Sequence, residues 1–353
     1  MKVLAITPEL PTADDPGSMA PAARQLQSLR DAGVDIVTRD MRGIPKLKYL
    51  QAIPRMYSQL KHVDLIHAHF GYCGLIARLQ WRKPIVVSFM GDDLLGTPID
   101  NRGTLSWGSK QMVKAHIRLA PRVDQVIVKS PEMGRVIAPT SAHVIPNGVD
   151  VDLFQPCERD EARGRLGWDA NTLHVLFPGD PDNPRKGFAL ASQAIEVAKS
   201  KLGREVKMVP LWGVSPDDVT DYMNASDAMW MTSFIEGSPN VVKEAMSCNL
   251  HVVGVQVGDV ADLLSGVSGS HVCDRDSQQL GTTMATVLDG SCESGGRKAI
   301  LDRGLDMVSV ANKIVNVYRL ALGEQPLSEK REGQVGDPID QPTNETVSSR
   351  GGV

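Results

Sequence analysis

Ser233-Phe234-Ile235-Glu236-Gly237-Ser238-Pro239-Asn240-Val241-Val242-Lys243-Glu244-Ala245-Met246 reads as a loop that becomes a helix. Ser238 suits an N-cap and Pro239 the first helical position. The first-turn amides have no partner inside the helix, and the helix dipole favours an anion there. Val241, Val242, Ala245 and Met246 supply an apolar face, with Asn240 and Glu244 together along one edge of it. Glu236 lies in the loop before the helix and Glu244 about two turns in. Two such glutamates are commonly no more than solvated surface. Here they stand between two runs, Ala225–Thr232 and His251–Val255, that read as buried strands. A loop and helix mouth between parallel strands is a place for phosphate.

The block from Ala225 to Leu263 resembles the donor site of the retaining nucleotide-sugar glycosyltransferases of family four, group 1, which have the two-domain GT-B fold. That family carries two glutamates eight residues apart at this place, and Glu236 and Glu244 match them. Gly237, Ser238, Pro239 and Asn240 match the turn between. Gly258-Asp259-Val260 matches the segment after the next strand.

The remainder of the chain is consistent with this. It has 353 residues, 42% hydrophobic and 23% charged, an ordinary globular composition long enough for two domains. No apolar run is long enough to span a bilayer, and no signal peptide is evident. Five cysteines without CxxC spacing suggest reduced thiols and a cytoplasmic setting. Residues 1–150 hold 19 Lys and Arg against 13 Asp and Glu, and the remainder 19 against 29, giving the formal net charge of −4. Nothing in this pattern calls for nucleic acid. The basic excess is concentrated in Arg42, Lys46, Lys48, Arg55, Lys61, Arg78, Arg82 and Lys83. The stretch 42–61 also holds Leu47, Tyr49, Leu50, Ile53, Met56 and Leu60, so it is read either as a solvated helix or as a peripheral contact with an anionic membrane.

Lys2–Thr7 reads as a buried first strand. A loop with Gly17 and Ser18 and a helix closing at Gly33 follow, as in a doubly wound sheet whose ligands collect at strand carboxyl ends. Further strands are expected over Val34–Thr38, Leu65–Ala68, Ile85–Phe89 and Val123–Val128, alternating with helices, which argues for a parallel sheet. The resemblance extends through Asp64–His69, Pro84–Asp93 and Val144–Phe154. It implies that Gly17, Ser18, His69, Met90, Gly91, Asp93 and Asn147 lie on the acceptor side of the cleft. Met90 departs from the family, which usually has histidine there. In the second half, Gly179-Asp180 and Pro184-Arg185-Lys186-Gly187 resemble the diphosphate-binding turn. Lys186 matches the family's lysine, and Asp180 stands where arginine is common. Arg185 is the candidate replacement for that cation.

The reading is therefore α/β, with two Rossmann-like parallel-sheet domains facing across a cleft. Residues 1–165 are expected to form the acceptor-side domain and 166–305 the donor domain. Residues 306–323 are expected to form a helix crossing back, and 324–353, rich in Pro, Gly and Ser, a disordered tail. By the resemblance, Glu236, Lys186 and Arg185 are catalytic. Glu244, Gly237, Ser238, Pro239, Asn240, Val241 and Gly179 bind a nucleotide-diphosphate sugar as co-substrate. No cofactor or metal is called for. The acceptor would be a sugar or lipid-linked hydroxyl in polysaccharide, glycolipid or glycoconjugate biosynthesis. The alternatives are a non-catalytic sugar-nucleotide-binding subunit and a nucleotide-sugar epimerase of the same fold.

Overall fold

The computed structural model describes residues 1–12, 19–43, 48–100, 103–290 and 292–327. Gly17, Ser18, Lys46, Leu47 and the chain from 328 onward lie outside the described residues.

Two parallel sheets form. The first contains β1 (Lys2–Thr7), β2 (Asp35–Asp40), β3 (Leu65–His69), β4 (Ile85–Ser88), β5 (Gln125–Val128) and β6 (His143–Val144), in the order β2-β1-β3-β4-β5-β6. The second contains β7 (Leu173–Phe177), β8 (Val206–Pro210), β9 (Ala228–Met231), β10 (His251–Val255) and β11 (His271–Cys273), in the order β11-β10-β9-β7-β8. The central strands are continuous apolar runs because helices cover both faces. Val3, Leu4, Ala5, Ile66, Ala68, Val86 and Val87 in the first sheet have no exposed surface. Strand order reverses between β1 and β3, and again between β7 and β9. The crevices outside those carboxyl ends are where such sheets hold ligands.

The final helix, Met307–Ala321, follows the second sheet in sequence but packs on the first. Val310, Ala311, Ile314, Val317 and Tyr318 are buried against Val3, Ala5, Leu26, Leu29, Leu65, Val86 and Ile127. Tyr318 Oη lies 2.6 Å from His67 Nδ1, and His67 Nε2 lies 2.8 Å from Ser88 Oγ. His67 is thus a core residue tying the returning helix to β3 and β4. The two crossings between the halves run side by side. Val149 N–H donates to the Leu305 carbonyl at 2.9 Å, and Met307 N–H to the Val149 carbonyl at 3.0 Å.

Two features bear on the expected organisation. The helix Arg159–Leu166 belongs with the second sheet, so the first body ends before Arg159 and not at 165. The cause is a buried ion pair: Arg163 Nη2 donates to Asp227 Oδ2 at 2.8 Å, and Arg159 Nη1 to Asp227 Oδ1 at 2.7 Å. The helix Lys48–Gln59 with its following turn is amphipathic, but Ala52, Met56 and Leu60 are taken up by the first core. Arg55 and Lys61 remain outside. None of the described helices is long and apolar enough to cross a membrane.

Ile314 has no exposed surface and sits at the centre of the returning helix's contact. Ile314→Ala should lower unfolding free energy by about 2–5 kcal/mol, the usual range for a buried aliphatic truncation. Urea unfolding of both proteins checks this.

Candidate functional site

The site is built from loops at the carboxyl ends of β4, β7 and β9. After β7 the chain turns at Gly179, and Asp180 caps the next turn by accepting from the Asp182 amide at 2.9 Å. Asp180 is therefore a turn former here. Asn183 Oδ1 accepts from the Arg185 amide at 3.0 Å, opening a single 3-10 turn, Pro184–Lys186. That turn presents both cations. The Lys186 stem runs across Gly179, where a Cβ would lie 3.0 Å from Lys186 Cε.

Both cations meet Glu236. Lys186 Nζ donates to Glu236 Oε1 at 2.9 Å, and Arg185 Nη1 lies 3.4 Å from Oε2. The same Arg185 Nη1 reaches Asp92 Oδ1 of the first domain at 3.3 Å. Burial alone would push the Glu236 carboxyl up, but Lys186 and Arg185 more than offset it and hold it below its ordinary value. Asp92, at the start of the helix Asp92–Leu95, is pushed up by burial despite Arg185. The loop carrying Glu236 is fastened from behind by Arg275, whose guanidinium donates to the Thr232 and Ser233 carbonyls at 2.8 and 2.6 Å. That guanidinium also lies over the Phe234 ring, 4.2 Å from its centroid.

The two domains touch backbone to backbone beside this cluster. A Cβ on Gly237 would lie 3.1 Å from the Met90 carbonyl oxygen and 3.4 Å from Gly91 Cα. Gly91 itself has φ +145°, a conformation that favours glycine. Met90 therefore contributes its backbone to this approach. Asp93 shapes the loop: its carboxylate accepts from the amides of Gly71, Met90 and Gly91 at 3.0–3.1 Å. Burial pushes Asp93 up to about 6, with those amides opposing.

Several expected roles change at this resolution of detail. Ser238 is not the helix cap. The helix is Asn240–Ser247, Pro239 stands at its N-cap, and the Ser238 hydroxyl accepts from Lys243 Nζ at 2.9 Å. The reason is that Lys243 is wholly buried and takes the nearest acceptor; burial draws it down to about 8, against Asp259 and Glu244. Asn240 Oδ1 is buried without a partner at the open helix mouth. Val241 is half-buried on the second core. His69 does not reach the cleft surface. It is fully buried beneath it, 4.0 Å ring to ring from His67, with both ring nitrogens unpartnered and its pKa drawn down to about 3 by burial and Lys129. Asp93 is turned into the loop, so its neighbour Asp92 is the acid that faces the second domain. Asn147 is buried with an unpartnered Oδ1.

Glu244 accepts from Arg24 Nη2 at 2.7 Å, across the domain boundary. Burial pushes Glu244 up, and Arg24 and Lys243 oppose it. Arg24, Asp92, Lys243 and Arg275 were not singled out from the sequence. The adjacent acids Asp92-Asp93 after a glycine were a signal for Asp92; Arg24 gave none, its partner being 220 residues away.

The unpartnered buried atoms of His69, Asn147 and Asn240 all belong to segments at strand carboxyl ends. With two cations and an uncapped helix mouth, the arrangement can hold an anionic ligand and align it against a carboxylate. The family model Glycosyltransferase Family 4 matches residues 6–153, and Glycosyl transferases group 1 matches residues 169–290. The chain belongs to the group 1 glycosyltransferases. Among relatives, the transferase is 26% identical over 330 residues to TuaC of Bacillus subtilis, named for teichuronic acid biosynthesis, covering 74% of this chain and 83% of that one. It is 24% identical over 335 residues to the D-inositol 3-phosphate glycosyltransferase of Mycobacterium marinum, covering 83% and 70%. Among solved structures, sucrose-phosphate synthase of Thermosynechococcus elongatus superposes with a TM-score of 0.71 at 17% identity, over 92% of this chain and 100% of that one. The Anabaena HepE protein in complex with UDP and glucose superposes with a TM-score of 0.62 at 18% identity, over 90% and 99%. The fold of the transferase is that of the GT-B enzymes.

Lys186→Met should leave Glu236 with Arg185 alone and raise its pKa. In the native protein a depressed carboxylate contributes stability that is present above the unfolded value near 4.5 and lost as pH falls through the folded value. The variant should therefore lose most at neutral pH, by about 3–5 kcal/mol at the upper end for breaking a buried pair, and progressively less as pH falls below 4.5. Urea unfolding of both proteins at pH 7 and pH 4 is the measurement.

Proposed function

We propose that the transferase moves a sugar from a nucleotide-diphosphate sugar to an acceptor hydroxyl with retention at the anomeric carbon. The observation that carries this is the convergence of Lys186 and Arg185 on Glu236 beside the Asn240 helix mouth, with Asp92 of the other domain on the same guanidinium. In the reading, the donor diphosphate takes over Lys186 and Arg185 and lies against the first-turn amides of Asn240 and Val241. Those cations stabilise the charge that develops as the nucleotide leaves. Glu236, freed from its cations, accepts from hydroxyls of the transferred sugar. Glu244 accepts from the ribose hydroxyls, sharing its carboxylate with Arg24 or exchanging one for the other.

The step balances without a protein base. The bond from the anomeric carbon to the phosphate oxygen breaks. A bond from that carbon to the acceptor oxygen forms on the same face, and the acceptor's proton passes to the departing phosphate oxygen. In the site as it stands Asp92 pairs with Arg185, Asp93 with three amides, Glu236 with two cations and Glu244 with Arg24, and the proton route above asks none of them to act as a base. With charge supplied by Lys186 and Arg185, activity is expected to survive EDTA.

The two glutamates should separate in kinetics. Hydrogen bonds to a charged group contribute about 1.5–3 kcal/mol. Glu244→Ala should therefore weaken donor binding roughly 10- to 100-fold at about 1.4 kcal/mol per decade and largely spare turnover. Glu236→Ala should lower turnover by roughly two decades or more while free nucleotide binds at least as tightly as before, its competitor for the cations being gone. Steady-state rates with a panel of UDP-, GDP-, ADP- and TDP-sugars, with calorimetry of nucleotide binding, test both. Reversed effects would exchange the roles, and no effect from either would place the donor elsewhere.

A further inference from the structure

The helix Asn240–Ser247 carries a lysine where a lysine is costly. Lys243 follows the buried Val242, precedes the buried Ala245 and Met246 by two and three residues, and has no exposed surface itself. A lysine is rarely buried to this extent unless an acid pairs with it. Among the described residues its hydrogen bond goes to the Ser238 hydroxyl at 2.9 Å, and no carboxylate stands within ion-pair distance of it. An apolar side chain of similar length would fill the place at less cost. Packing alone therefore gives little reason for the charge.

Its position gives a better one. Helical side chains lean toward the helix N-terminus, so the Lys243 stem runs back beneath the first turn and ends at Ser238, just ahead of the N-cap Pro239. The ammonium is thereby set behind the helix mouth, where Asn240 Oδ1 is buried without a partner. Asp259 approaches the same hydroxyl from the loop after β10. Gly258 makes room for that loop: a Cβ there would lie 2.4 Å from the Gly237 carbonyl oxygen. Burial pushes the Asp259 carboxyl up to about 6, with Lys243 and the Ser238 hydroxyl opposing. Lys243, Ser238 and Asp259 thus clamp the turn Gly237-Ser238-Pro239 from beneath.

Three charged groups face the Lys243 ammonium. Asp259 and, on its own helix, Glu244 favour its charge. Lys129, just after β5, stands across the domain boundary, buried, with Nζ donating to the Ile145 carbonyl at 3.3 Å. The domains are in contact here, since a Cβ on Gly237 would lie 3.0 Å from Met133 Sδ. Burial outweighs the two acids and draws Lys243 down to about 8.

We propose that Lys243 is a positioning residue for the donor diphosphate: clamped through Ser238, its ammonium fixes the turn that leads into the phosphate-binding amides and sets one positive charge behind them, so the donor is held tightly only while this buried group carries its proton. The proposal rests on the transfer reading given above. It adds, to the two cations that meet the ligand, a third that does not touch it. The sign is set by the anion, which favours the charged form of the lysine. Affinity is full below about pH 8 and falls as pH rises through it.

Calorimetric titration of the full chain with UDP, GDP, ADP and TDP between pH 7 and pH 9 is the test; the phosphate charge is constant over that range. The diphosphate that binds should lose affinity several-fold above about pH 8. Lys243→Met should bind it roughly tenfold more weakly at pH 7, about the worth of one nearby charge, and show no decline above pH 8. Asp259→Asn removes an acid that favours the charge and should move the decline to lower pH, a change that a merely structural clamp would not produce. Circular dichroism checks folding, and if Lys243→Met does not fold, Asp259→Asn decides alone. A decline retained in Lys243→Met, unchanged affinity at pH 7, or an unmoved decline in Asp259→Asn would overturn the proposal. So would a flat profile in the unaltered chain, which leaves the donor reading intact. Binding of none of the four nucleotides by the unaltered chain would strike the donor reading and this proposal with it.

Discussion

A carboxylate buried between two cations governs this structure. Glu236 is costly to ionise away from water, and Lys186 and Arg185 make that ionisation favourable. To supply them, a 3-10 turn must bring two adjacent cations to one loop, and Gly179 must let the lysine stem pass. Arg275 must hold the glutamate's own loop from behind. The arginine then reaches across to Asp92, so the same charge balance that steadies the donor side also joins the domains. In the function proposed above, a diphosphate, which carries more charge than this carboxylate, displaces it from the two cations.

The surrounding electrostatics follow the same logic. Lys129 and Lys243 come from opposite domains and are buried; burial, with Lys243 adding to it, draws Lys129 down to about 7, and burial lowers Lys243 as well. Asp93, Asp259 and Glu244 oppose this from nearby. Positive potential thus accumulates beneath the crevice, where an anionic ligand would be welcome. The unpartnered ring of His69 stays neutral chiefly because it is buried, with Lys129 adding to the effect.

The fold was legible because it depends on local pattern. Apolar runs such as Val3–Ile6 and Val252–Val255, separated by helical periodicity, specify buried parallel strands almost by themselves. The loop and helix that carry Glu236, Gly237 and Glu244 were legible because these residues are close in sequence. What could not be read were contacts whose partners lie far apart. Arg24 reaches Glu244 over 220 residues, and Asp92 reaches Arg185 over 93. The misread cap has the same origin. Ser238 before Pro239 is a good local start signal, but a buried lysine outcompeted the backbone for its hydroxyl. The domain limit was misplaced because the Arg163–Asp227 pair, which fixes the helix Arg159–Leu166, spans 64 residues.

The paired crossings at Val149 and Asp306 have a consequence for evolution and engineering. Because the chain leaves the first body and returns to it at neighbouring points, the whole second sheet with its helices is topologically an insertion between β6 and the returning helix. Its two ends are tied together by backbone hydrogen bonds, independent of side-chain identity. Such a cassette can be exchanged for another of the same kind by two cuts at adjacent sites, and the residues that must be re-matched are few: Arg24 with Glu244, Asp92 with Arg185, and the glycine contact at Gly91. The two sheets, each with its own helices, can then diversify as separable inheritances within one chain.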